Sequence, residues 1–266
     1  MGQSVVSTAQ REPTRETSVD DESATLGRSW YSGRNRCRRA ATSIELMRFV
    51  GVDGCPTGWI AVAWNGSTST TAHFLPSLGA LCEVVPDAAV VAIDIPIVTP
   101  EAERPAEAAL RSFLGPRRSS VFATPPKAAM NADDYASANR AARAATGKGI
   151  SRQAWALVPK IREAMAWIPG AGIPVIEAHP EGCFATLLGA PASASKKTWA
   201  GMTQRRGALA SVGFELSDVD ETAGRAAQTD DLLDAAVTAW TAARFYRGEA
   251  RSFPSEPNPL HDVIWA

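Results

Sequence analysis

From residue 48 onward, apolar residues fall into short runs separated by turn-forming residues. Phe49, Val50 and Val52, interrupted by Gly51, make the first run and lead into Asp53. Gly54, Pro56 and Gly58 supply a sharp reversal. Trp59 to Trp64 is a second run rich in strand formers. Two strands joined so closely must be antiparallel neighbours. Asn65-Gly66-Ser67 predicts a further hairpin turn, Thr70 to Leu75 a third strand, and Leu78 to Val85 a short helix. Ala89 to Ile97 is apolar except for Asp94 and then Pro96, as expected of a strand buried on both faces. A right-handed crossover lays this fourth strand parallel to the first. If the two are adjacent, Asp53 and Asp94 end on the same edge of the sheet.

The pattern then turns helical. Glu101 to Leu114 reads as a helix stopped by Gly115, and Asp133 to Ala145 as another. Ser151 is placed to cap a longer one running to about Trp167. Ile173 to Pro180 reads as a fifth strand whose period of two puts Glu177 and His179 on one face. Short helices are expected at Phe184 to Leu188 and Thr198 to Val212. A clear helix spans Asp230 to Tyr246, and Ile264 and Trp265 are expected to dock on the body. The fold class is α/β: a five-stranded mixed sheet, three antiparallel strands then parallel ones, flanked by helices, in one domain over residues 47–266.

Residues 1–46 break the pattern. They are rich in Ser, Thr, Arg and acids, lack periodicity and read as a disordered tail. Met47, directly before the first strand, is an alternative start, in which case the tail does not belong to the native protein. Over the whole chain, 27 basic and 28 acidic residues leave a net charge of −1. That is no global footprint for nucleic acid, so such a partner would need a local basic groove. No run is long enough to span a membrane. Cys37, Cys55, Cys82 and Cys183 form no CxxC pair and fit neither a zinc site nor a disulfide framework, so a cytoplasmic location is the default.

Composition leaves the acids as the candidate chemistry. Asp53 ends the first strand and Asp94 the fourth, while Asp231 and Asp234 share one face near the start of the last helix. Most have a local explanation: Asp94 could cap a turn, and Asp230 and Asp231 suit the positive end of a helix. Asp234, beside Leu232 and Leu233, is harder to account for that way. Buried acids cannot all be ionised together unless a cation neutralises them. Oxygen-only ligands suit Mg²⁺ or Mn²⁺ rather than zinc. Two such ions ~3.5–4 Å apart are a common device for phosphodiester hydrolysis.

Several motifs accompany these acids: Val52-Asp-Gly-Cys-Pro-Thr-Gly-Trp59, Ile93-Asp-Ile-Pro96, Arg118-Ser-Ser-Val-Phe122 with Thr124-Pro125, and Gly147-Lys-Gly-Ile-Ser-Arg-Gln-Ala-Trp155. Pro159-Lys160, Glu177-Ala-His-Pro-Glu181, Ser195-Lys-Lys197 and Asp230-Asp-Leu-Leu-Asp-Ala235 continue the set. Together they resemble the DUF429 family of predicted ribonuclease H-like nucleases, over about residues 48 to 265. The strand order and the acid pair on the last helix resemble the Holliday-junction resolvase branch of the ribonuclease H-like fold. One departure is Ala106-Glu107, where the family commonly has Cys-Asp.

The resemblance implies a metal-dependent nuclease acting on DNA or RNA through two ions, with Asp53, Asp94, Asp231 and Asp234 as ligands. Glu177 is a further acid for the same edge, or else half of an ion pair with Lys160 or an Arg. His179 could orient water or shuttle a proton, or serve a structural hydrogen bond. Lys148, Arg152, Lys160, Lys196 and Lys197 could cradle phosphates, or be solvated charges. Trp155 could stack on a base or pack in the core. The alternative is a non-catalytic module of the same fold that binds a nucleotide or nucleic acid. A P-loop fails at Gly147-Lys-Gly149 for want of its other residues, and dinucleotide binding fails because the first turn leads to a strand. An actin-like phosphotransferase shares the strand order but normally needs a second copy of the domain.

Overall fold

A computed structural model describes residues 1–2, 47–67, 69–216, 218–256 and 262–266. Residues 3–46, on which the expected tail falls, lie outside the described residues.

The sheet has six strands rather than five, in the order β5–β4–β1–β2–β3–β6. They are β1 (Arg48–Cys55), β2 (Gly58–Trp64), β3 (Thr70–Leu75), β4 (Ala88–Ile93), β5 (Val175–Glu177) and β6 (Asp218–Val219). β1, β2 and β3 run antiparallel in succession; β4 pairs parallel with β1, β5 parallel with β4, and β6 parallel with β3. The additional strand is only two residues long and carries no alternating pattern, so nothing local announces it. A separate ribbon pairs β7 (Ser252–Phe253) with β8 (Ile264–Trp265), and Ala178 bridges to Trp265. The C-terminal residues dock as expected, with Ile264 and Ala266 buried.

Ten α-helices among the described residues complete the layers. The first are α1 (Leu81–Val84), α2 (Pro105–Leu114), α3 (Lys127–Met130), α4 (Tyr135–Thr146) and α5 (Arg152–Ala156). After them come α6 (Val158–Ala171), α7 (Pro180–Leu188), α8 (Trp199–Ser211), α9 (Glu221–Ala226) and α10 (Thr229–Tyr246). α2 begins at Pro105, later than expected, because proline suits the first helical position and ends the preceding loop. Ser151 does cap a helix, accepting from Ala154 N at 3.0 Å, but the long helix breaks into α5 and α6 at Leu157.

β1 is sealed on both sides, and its period of two decides which residue meets which layer. Val50 and Val52 pack with Leu78, Leu81, Val158 and Ile161 on one face. On the other face lie Phe49, Gly51 and Asp53, against α10. A Cβ on Gly51 would run into Ala235 O and Ala239 N of that helix, so only glycine permits so close an approach. Phe49 meets Tyr246 at the far end of α10. The helix therefore runs opposite to β1 and brings its N-terminus to the edge where β1 ends.

Candidate metal centre

Three segments far apart in sequence deliver acids to that edge. Val52 pairs with Ile93 and Ile93 with Glu177, so Asp53, Asp94 and Glu177 stand at one edge of three adjacent parallel strands, although β1 itself runs on to Cys55 rather than ending at Asp53. Asp94 N donates to Val52 O at 2.8 Å, which holds the residue in the ladder. α10 adds Asp234 from its second turn. Carboxylate oxygens of Asp53, Asp94 and Asp234 all lie within 4.8 Å of one another. Asp234 is 1 % exposed and Asp53 9 %, while Asp94 is half-buried at the mouth. Gly54 N donates to Asp53 Oδ1 at 2.6 Å, which fixes the rotamer.

Burial and mutual repulsion act on these groups together. Burial, then Asp94, Asp234 and Asp231, push the Asp53 carboxyl well above its ordinary range. Burial and Asp234 push Asp94 up to about 8, and burial raises Asp234 to about 6 against the pull of Lys196. The opposing charge is that lysine, whose ammonium is hydrogen-bonded to Asp234 Oδ2 and lies 3.4 Å from Asp230 Oδ2. One ammonium cannot neutralise three carboxylates, and the N-terminal end of α10 adds only a partial positive charge.

The other acids have different company. Asp231 closes a capping box instead of joining the cluster: Oδ2 accepts from Gln228 N at 2.9 Å. Its neighbour Asp230, buried at 7 % exposure, pairs with Lys197 at 2.7 Å. Glu177 stands at the expected edge but is clasped by Arg104, with Oε1 to Nη1 at 2.8 Å and Oε2 to Nη2 at 2.9 Å. It also accepts from Ile97 N at 3.1 Å. Arg104 reaches Thr124 Oγ1 at 3.0 Å and Asp262 at 2.7 Å. Glu107, at the departure from the family pattern, is buried in the same network: Thr124 N donates to it at 2.8 Å and Arg111 at 3.0 Å.

His179 caps α7 through Nδ1, which accepts from Gly182 N at 3.4 Å, and its Nε2 faces Ser120 O at 3.3 Å. Burial lowers its pKa, so the neutral ring serves structure. Of the five candidate cations, Lys196 and Lys197 stand at the acids. Lys160 lies at the β1–β2 turn against Gly54, within electrostatic reach of Asp53, with Nζ donating to Gly58 O at 2.6 Å and seated 4.3 Å from the Trp59 ring centre. Lys148 pairs with exposed Glu103, and Arg152 lies 4.6 Å over the Tyr135 ring. Of the cations expected to cradle phosphates, those at the acids thus come from one loop, Ser195–Thr198. Trp155 packs partly buried against two apolar clusters.

The alternative of an ion pair between Glu177 and an Arg is what the structure shows, with Arg104 as the partner, but sequence reasoning did not single out Arg104 and missed the role of Asp230. Arg104 sits in a charged loop whose pattern gives no sign of burial. Gly51 did leave a signal, as the single break in an otherwise apolar strand. Cys55 and Cys183 are free and buried. No helix among the described residues is long and apolar enough to cross a membrane.

A family model described as "Protein of unknown function (DUF429)" matches residues 51–258. No curated protein and no solved structure matches the chain.

Proposed function

Because the chain belongs to the DUF429 family and gathers three carboxylates at one sheet edge, we propose that it is a metal-dependent nuclease of ribonuclease H-like fold. The observation that carries this reading is the convergence of Asp53, Asp94 and Asp234 within 4.8 Å. Three carboxylates opposed by one ammonium suit a divalent ion, and an all-oxygen donor set suits Mg²⁺ or Mn²⁺. The bound ion would supply Lewis-acid activation of water and charge stabilisation at a phosphate. The strand order and the antiparallel placement of α10 support the fold assignment, and a cytoplasmic location forms part of the same proposal.

The residues of the chain supply the rest. Asp53 and Asp94 are held by the ladder and Asp234 by the approach of α10 to Gly51, so the ligands are preorganised. Lys196 and Lys197 present ammonium donors to the phosphate oxygens of DNA or RNA. In hydrolysis, a water oxygen bonds to phosphorus as the P–O ester bond breaks. One proton leaves the water and one joins the departing oxygen, giving a phosphomonoester and an alcohol.

A second reading is a non-catalytic nucleic-acid-binding module, favoured by the presence of the chain's own cation, Lys196, among the acids. Incubation with Mn²⁺ and a panel of single-stranded, duplex and branched DNA and RNA separates the two. The expected outcome is cleavage that EDTA and Asp53→Asn both abolish, with the variant melting no lower than wild type. Full cleavage by Asp53→Asn would remove Asp53 from the centre. Binding without cleavage of any substrate would favour the module.

A further inference from the structure

Around the centre, nearly every acid has been assigned a partner by the fold. Asp231 is taken by the capping box, Glu177 by Arg104, Asp230 by Lys197, and Glu181 Oε1 by Arg205 at 2.6 Å, its buried Oε2 left without a hydrogen bond. That leaves Asp53, Asp94 and Asp234, and into this remainder the protein itself inserts the Lys196 ammonium.

The loop that carries Lys196 is built for the purpose. Thr198 caps α8, accepting from Gly201 N at 3.1 Å, while its hydroxyl donates to Ser195 O at 2.8 Å. Gly201 makes room, since a Cβ there would collide with Ser195 O. Arg205, wholly buried, donates to Ala194 O at 3.1 Å and Gly201 O at 3.0 Å and is anchored by Glu181. Lys196 is itself only 33 % exposed in its side chain. A lysine held this way is a fixed positive charge with N–H donors, which can neutralise a carboxylate and a phosphate oxygen as an ion would. One divalent ion and the Lys196 ammonium together balance the three carboxylates, whereas two ions beside that ammonium would leave the centre with a net positive charge.

We propose that the centre takes a single divalent ion on Asp53, Asp94 and Asp234, and that Lys196 stands in place of a second. The inference rests on the metal reading above and replaces its two-ion form. Titrating Mn²⁺ into the full chain, with the free ion followed by electron paramagnetic resonance, counts the bound ions. One ion per chain without exchange coupling is expected. Lys196→Met should bind Mn²⁺ at least ~10-fold more tightly or admit a second ion, because an opposing charge a few ångströms away has gone. Lys196→Arg should keep the count of one. Two coupled ions in the wild type would overturn the role of Lys196 while leaving the metal reading standing. Unchanged count and affinity in Lys196→Met would do the same. No bound Mn²⁺ in the wild type would overturn both. The wild-type count needs no substitution, so a variant that misfolds would not leave the matter undecided.

Discussion

Arg104 and Glu177 are both buried, and Arg104 is the cation that pairs with Glu177 there. Their double hydrogen bond places Glu177 beside Ile97 N and removes it from the set of free acids. Burial still pushes the Glu177 carboxyl above its ordinary range, against the pull of Arg104. Arg104→Met should therefore cost about 3–5 kcal/mol, the usual penalty for stranding one member of a buried pair. The double variant Arg104→Met/Glu177→Met should recover a good part of that loss. Urea unfolding of the three proteins checks it, and a loss below about 1 kcal/mol in the single variant would show that the pair is not what holds this corner.

Between elements, the decisive contact is that of α10 with β1. Gly51 meets the helix backbone itself, at Ala235 and Ala239, whereas a Cβ on Gly54 would meet the Lys160 side chain 2.9 Å away at Cδ. Backbone cannot move aside cheaply; a lysine stem can. Gly51→Ala should push α10 off the sheet, cost about 1–3 kcal/mol or more as overpacking, and draw Asp234 away from Asp53. Gly54→Ala should stay close to wild type in melting temperature. Thermal melts together with Mn²⁺ affinity test the pair: equal Mn²⁺ binding in Gly51→Ala and wild type would mean that this approach does not position Asp234.

At the scale of the molecule, three acids from distant segments make folding sensitive to pH. A carboxyl with a raised folded pKa favours folding below its ordinary range, and that contribution is lost as pH rises through the folded value. For Asp94 the window runs from 3.8 to about 8, and for Asp234 from 3.8 to about 6. Buried His179, with its lowered pKa, works in the opposite sense near its ordinary value of 6.5. Comparison with Asp94→Asn isolates the carboxyl. In EDTA, that variant should gain melting temperature relative to wild type between about pH 5.5 and pH 8, at ~2–4 °C for each kcal/mol. Melting curves that stay parallel across the range would show that Asp94 ionises normally.

The hydrophobic pattern by itself determined the first four strands and the last helix, because period and turn chemistry are local properties; that β4 lies directly beside β1, bringing Asp53 and Asp94 together, was settled by the fold. The family membership was also legible in the motifs, and the resemblance they carry put Glu177 at the same edge. Six strands instead of five, the capping role of Asp231, the clasp of Arg104 on Glu177 and the seating of Lys196 among the acids were decided only in the folded chain. Each depends on which side chains meet across more than thirty residues, or on which of several hydrogen bonds a carboxylate takes up. A spacing of three along a helix placed Asp231 and Asp234 on one face, but competition between a backbone N–H and the cluster turned one acid outward and left the other at the centre.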